Sequence, residues 1–180
     1  MLQKTRIAVL LVVLSFLAGR GYGEPITIAQ NGAAKVLIIV AEDAPEPERH
    51  AATELADFLR QITGATFEIS HTFDDDKSCL LVGPEAGKLA DPDLSTEGLG
   101  ADDIVIRTIG DDLILAGGYP RGTLYAVYTF LEENLGCRWW SSKVSTIPKK
   151  PTIQIGEINV RYVPVLEYRE PFWFDAHDGD

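Results

Sequence analysis

The side chains with chemical potential are few and scattered. Near the end of the chain, "LEYREPFWFDAHDGD" holds Glu167, Glu170 and Asp175, carboxylates of the kind that serve as general acids and bases. His177 and Asp178 follow without a partner set by spacing, so none of these five is nominated as a catalytic pair. Between Gly117 and Trp140 lies "GGYPRGTLYAVYTFLEENLGCRWW", whose Gly117, Gly118 and Gly122 raise the question of a phosphate-cradling loop. The spacing matches neither Gly-x-x-x-x-Gly-Lys-Ser/Thr nor Gly-x-Gly-x-x-Gly, and no lysine follows, so that chemistry is rejected. "DDDK" (Asp74 to Lys77) lacks the spaced ligands and the glycine of a calcium loop and reads as solvated. Cys79 and Cys137 are the only cysteines, and no Cys/His spacing suggests zinc. They could form a disulfide or be two buried thiols. Neither a metal nor a cofactor is expected.

The remaining signals in the glycine stretch are structural. Gly117 and Gly118 would let the chain turn off a strand, and Pro120 would preset a first helical turn. Leu124, Val127, Tyr128, Leu131 and Leu135 form an apolar stripe, which Gly136 ends. Arg121 at a helix start opposes the dipole, which predicts that it serves as the partner of a carboxylate or makes a surface contact. Trp139 and Trp140 follow on a short extended segment, so one of them should face outward. An outward tryptophan can stack on a sugar or pack on a neighbouring domain.

The elements that would carry these residues read as follows. "ITIAQNG" (Ile26 to Gly32) is a strand and turn, and "KVLIIVA" (Lys35 to Ala41) a strand buried on both faces; together they suggest a hairpin. Pro45, Glu46 and Glu48 open a helix whose inner face is Ala51, Leu55, Phe58, Leu59 and Ile62 and whose stop is Gly64. "TFEIS" (Thr66 to Ser70) and "SCLLVG" (Ser78 to Gly83) read as strands, and the stretch from Gly83 as irregular with one short helical turn. Ile104 to Ile109 and Leu113 to Ala116 form the strongest hairpin signal, and Thr152 to Val160 reads as one more strand. The fold class expected is an α/β (α+β) sandwich: a mixed, mostly antiparallel sheet with two main helices packed on it.

Lys4 and Arg6 precede the apolar run Ile7 to Gly19, and Gly21 and Gly23 follow it. This is the layout of a secretory signal peptide over residues 1–23, with an uncleaved anchor as the alternative. Export to the periplasm or the extracellular space is the expectation. Loss of Lys4, Arg6 and Arg20, with no acid, would take the formal charge from −11 to −14. That argues against nucleic acid or an anionic membrane as partner.

"RGTLYAVYTFLEENLGCRWW" resembles the segment Arg-Gly-x-x-x-(Ala/Val)-x-x-Phe-Leu-Glu-x-x-Leu-Gly-x-Arg-Trp of the N-terminal domain of alpha-glucuronidases and their relatives. The same small domain precedes the barrel of beta-hexosaminidases. "IVIRTIGDDLILAGGYPRG" looks like that domain's hairpin and turn, "AATELADFLRQITG" like its first helix, and "LLVGP" like the strand after it. The resemblance implies a non-catalytic α/β domain over residues 24–162, packed on a (β/α) barrel that carries the acid and base and binds oligo- or polysaccharide. "VPVLEYREPF", within residues 163–180, looks like the linker and first strand of that barrel. Arg169 matches the position at which the hexosaminidase relatives bind sugar hydroxyls, although Glu170 stands where they have glycine.

Overall fold

The computed structural model describes residues 24–74 and 76–165. The readings of Glu167, Arg169, Glu170, Asp175, His177 and Asp178, and of the signal segment, lie outside the described residues.

The chain opens with β1 (Ile26–Gln30) and a two-residue strand β2 (Ala33–Ala34). Asn31 and Gly32 between them adopt φ 51° and 75°, the left-handed pair that closes a tight hairpin turn. The turn is where the sequence places it, but the partner is not. β3 (Leu37–Val40) does not return along β1; it crosses into another sheet. Its residues explain the crossing. Ile38 and Val40 enter one apolar core and Ile39 the other, so β3 needs cover on both faces and takes an interior position. β1 is instead flanked by β2 and by β10 (Ile153–Ile155).

The central sheet has six strands in the order β11-β6-β7-β5-β3-β4. These are β4 (Ile69–Ser70), β5 (Cys79–Val82), β6 (Ile104–Ile109), β7 (Asp112–Gly117) and β11 (Asn159–Tyr162), with β3. β3, β4, β5 and β7 run parallel, and β6 and β11 antiparallel to their neighbours. A separate ribbon pairs β8 (Arg138–Ser141) with β9 (Val144–Thr146). Five of the eight pairings among the described residues are antiparallel, so the sheet content is mixed and mostly antiparallel, with the parallel pairs gathered at the centre.

Helix α1 (Glu46–Thr63) buries Ala51, Leu55, Leu59 and Ile62 against one face of this sheet. Each fully buried leucine or isoleucine there contributes about 1.5–3 kcal/mol. Gly64, at φ 81°, ends the helix by returning its N–H to the Arg60 carbonyl at 2.8 Å. On the same face lies α3 (Gly122–Thr129), continued by a π-helical turn, Phe130–Leu135, that Gly136 terminates at φ 87°. The short helix α2 (Pro84–Ala90) covers the opposite face with Ala86. The two main helices thus share one face, giving the layered α+β sandwich.

Three further readings need correction. Pro120 is not in the first turn of α3: the helix starts at Gly122, because a backbone contact described below pins it there, and Pro120 sits in the preceding turn. Thr66 to Ser70 yields only the two-residue β4. Thr152 to Val160 is not one strand but two, β10 and β11, broken at Gly156 where the chain leaves one sheet for the other.

Cys79 and Cys137 are both free and buried, one in the core on each face of the central sheet. With the sheet between them they cannot bridge. Burial pushes both thiols up from their ordinary range.

Candidate functional site at the carboxyl end of the central sheet

The parallel strands create a switch point. From β3 the chain passes over α1 to β4 on one side; from β5 it passes over α2 and β6 to β7 on the other. Because α1 and α2 cover opposite faces, the carboxyl ends of β3 and β5 open between two helix starts. In parallel α/β sheets this crevice is where ligands bind.

Glu48 reaches into it from the first turn of α1 and packs against Gly83, at φ 96°, just after β5. The Gly83 N–H is itself held by the Leu115 carbonyl at 2.9 Å. His71 Nδ1 donates to the Val40 carbonyl at 2.9 Å at the same end of β3. Burial, and secondarily the carboxylate of Glu85, push Glu48 up to about 7. A raised carboxyl pKa favours the fold while the group is protonated. That contribution is complete below about 4.5 and is lost as the pH climbs through about 7. Glu48→Gln should therefore leave stability near pH 4 almost unchanged and raise it at pH 8. For a dry site the shift would correspond to about 3 kcal/mol, but Glu48 is only half-buried and screened, so about 1 kcal/mol is expected. Urea titrations of both proteins at pH 4 and pH 8 measure it. An equal effect at both values would remove the titration argument.

The glycine stretch lies at this same end. Gly117 closes β7, and Gly118 donates its N–H to the Asp103 carbonyl at 3.0 Å. Gly122 donates to the Gly118 carbonyl at 2.7 Å, and Arg121 to the Ala101 carbonyl at 3.2 Å. A Cβ on Gly117 or Gly122 would fall under 3.0 Å from the other's backbone and from the Asp103 carbonyl. A Cβ on Gly118 would overlap Gly100. These glycines are required by backbone-on-backbone packing, not by a positive φ. Arg121 finds its carboxylate: its Nε donates to Asp102 Oδ1 at 2.7 Å, in a largely exposed pair. Asp103, buried, accepts from the Gly100 N–H at 2.7 Å. The loop is braced from below by a buried carboxylate. Sequence reasoning missed Asp103, because "ADD" before a strand looks the same whether its acids point in or out.

The profile of the glycosyl hydrolase family 67 N-terminus matches residues 25–130. The chain belongs to this family. The match includes α1, the β6–β7 hairpin, the glycine loop and α3, and ends at Phe130. The chain is thus a glycosyl hydrolase N-terminal domain. No curated protein matches it. Among solved structures it is similar to the family GH115 4-O-methyl-alpha-glucuronidase BtGH115A, which has specificity for decorated arabinogalactans. The identity is 20%, the TM-score 0.58, and the alignment covers 77% of this chain and 18% of that one. At that identity the likeness concerns the fold. CpGH84D aligns at 13% identity and a TM-score of 0.45, over 76% of this chain and 22% of its own.

Trp139 and Trp140 lie elsewhere, on the β8–β9 ribbon beside the helix pair and past the matched residues. Trp139 meets Phe58 of α1 and Tyr128 of α3 edge-on, with centroids 5.3 and 5.0 Å away. It packs on both main helices and is still 37% exposed. The Tyr128 hydroxyl donates to Glu54 Oε2 at 2.5 Å; burial, then that bond, push the phenol well above its ordinary range. Trp140 faces outward at 68% exposure, its Nε1 donating to Thr146 Oγ1 at 3.0 Å. The structure therefore separates the two groups that the sequence places side by side. The glycine loop with Arg121 stands at the carboxyl end of the sheet, and the tryptophans stand on the ribbon.

Proposed function

We propose that this chain is the non-catalytic accessory domain of an exported glycoside hydrolase of the alpha-glucuronidase type, acting in polysaccharide breakdown. The reading rests on one observation above all: a family 67 N-terminus match, in a chain that spans only 18% of the alpha-glucuronidase it resembles in fold. Such a share leaves the acid and base to the rest of a longer polypeptide, packed against this domain and binding the oligo- or polysaccharide. The basic and apolar leader at residues 1–23 supports export.

Release of uronic acid and hexosamine from a panel of glycosides is the test, with the full-length gene product set beside residues 24–165 alone. Hydrolysis by the full-length protein that falls about 10²–10⁴-fold when a downstream carboxylate is changed, with none from the short piece, is the expected result. Hydrolysis by residues 24–165 alone would remove the accessory role.

A second reading, a carbohydrate-binding or cell-surface interaction module without hydrolase activity, draws on the outward, hydrogen-bonded ring of Trp140. It predicts that a full-length protein without hydrolase activity still binds glycan, and that Trp140→Ala abolishes the binding.

A further inference from the structure

Eight of the eleven exposed large apolar side chains among the described residues fall in two groups, with Ile69, Leu89 and Val160 outside them. One group is Trp139, Trp140 and Val144 on the ribbon. The other is Tyr119, Tyr125, Tyr162, Val163 and Val165. The register shows that this second group gathers at one end of the central sheet. Tyr162 of β11 is opposite Ile104 of β6, and Ile104 is opposite Gly117 of β7. Tyr119 lies two residues past Gly117, and Tyr125 in the first turn of α3, where its N–H donates to the Arg121 carbonyl at 3.0 Å. Val163 and Val165 continue directly from β11.

Two features make this end unlike an ordinary loop surface. Tyr119 is 72% exposed, yet it is carried by a braced loop, clamped by the Gly117–Gly122 contact and by hydrogen bonds to Ala101 and Asp103. An aromatic side chain carried on a backbone with little freedom leaves only its own rotamers to be fixed on docking, which lowers the ordering cost of an interface anchor. The second feature is the path of the chain. It leaves β11 through Val163, Pro164 and Val165, the last 94% exposed, within a few residues of the patch. Extended residues span at most about 3.5 Å each, so Val163 to Val165 keep the exit of the described chain within about 10 Å of Tyr162.

We infer that the surface formed by Tyr119, Tyr125, Tyr162 and Val163 is the docking face for the domain that follows in the same polypeptide. The inference rests on the accessory-domain reading above and adds to it which face of the sandwich is covered. The ribbon tryptophans then stay outside that interface. Arg121 and Asp102, beside Tyr119, form its polar rim.

The experiment uses the full-length gene product and two double variants, Tyr119→Ser/Tyr162→Ser and Trp140→Ser/Val144→Ser. All four positions are exposed, so both variants should fold, which circular dichroism confirms before use. Limited proteolysis between the domains and hydrogen exchange of residues 117–125 and 159–165 are followed. The expected result is at least a tenfold faster interdomain cleavage, and matching loss of exchange protection, in the Tyr119/Tyr162 variant only. No change in that variant, or release only in the Trp140/Val144 variant, overturns the inference. A gene product with no following domain overturns both this inference and the reading it rests on. Intact docking in a protein that hydrolyses no glycoside supports the interface and sinks the hydrolase reading alone.

Discussion

Gly118→Ala should destabilise the domain by more than about 3 kcal/mol, which for a protein of this size lowers the melting temperature by roughly 10 °C. The added methyl would overlap the Gly100 carbonyl and lie 2.7 Å from its carbon, and neither is a side chain that can rotate away. Relief requires one backbone segment to move. That segment is either the loop ending at Asp103, tied to Gly118 by a 3.0 Å hydrogen bond, or the turn that sets the start of α3. Moving the turn also disturbs the Gly117–Gly122 contact. Overpacking of this kind is relieved only by displacing backbone, hence the large figure. Gly156 is the control, since nothing lies within 4 Å of its Cβ direction. Gly156→Ala should change stability by well under 1 kcal/mol, roughly the size of an unstrained glycine replacement. Chemical denaturation of the two variants measures the difference. A Gly118→Ala protein as stable as Gly156→Ala would show that the loop relaxes freely, and would also remove the rigidity on which the docking face depends.

Phe130→Ala should cost about 3–5 kcal/mol. Phe130 is among the largest fully buried side chains, in the same core as Leu55, Leu59, Val127 and Cys137. It stands where α3 gives way to the π-helical turn. Truncation leaves a cavity beneath the junction of the two main helices, and neither can collapse into it without disturbing its seat on the sheet. Leu89→Ala, at a half-exposed position on α2, should stay within about 0.5 kcal/mol. Denaturant midpoints at constant m-value decide the matter, and a loss below about 1 kcal/mol at Phe130 would mean that the core repacks around the gap.

The helices and the β6–β7 hairpin were legible because their signals are local. The inner face of α1 follows the 3.6-residue period, and Gly64 and Gly136 are needed as left-handed stops. The partner of β1 was not legible, because a turn signal at Asn31-Gly32 specifies a reversal, not its length. β3 has enough apolar character on both faces to prefer the centre of a sheet formed with strands far along the chain. The break at Gly156 was legible but missed: Ile153 and Ile155 hold odd positions and Ile158 and Val160 even ones, so the alternation slips phase across Gly156-Glu157, where the chain leaves one sheet for the other.

The sequence by itself determined the class of the domain, the two main helices and their stops, and the family membership, which the match over residues 25–130 carries. It also supplied Arg121 with the need for a partner. Only the tertiary structure decided which partner: Asp102 lies 19 residues away, and nothing in spacing distinguishes it from Asp103. Only the tertiary structure placed Cys79 and Cys137 on opposite faces, half-buried Glu48 against Gly83, and brought Tyr119 and Tyr162 to one end of the sheet. The physical reason is common to all of these. Periodicity and turn chemistry report contacts made within about one helical turn or one hairpin, whereas burial, ion pairing and the gathering of an exposed face depend on strand order. In this domain strand order is set by which strands need cover on both faces, and that competition is resolved only when the whole core assembles.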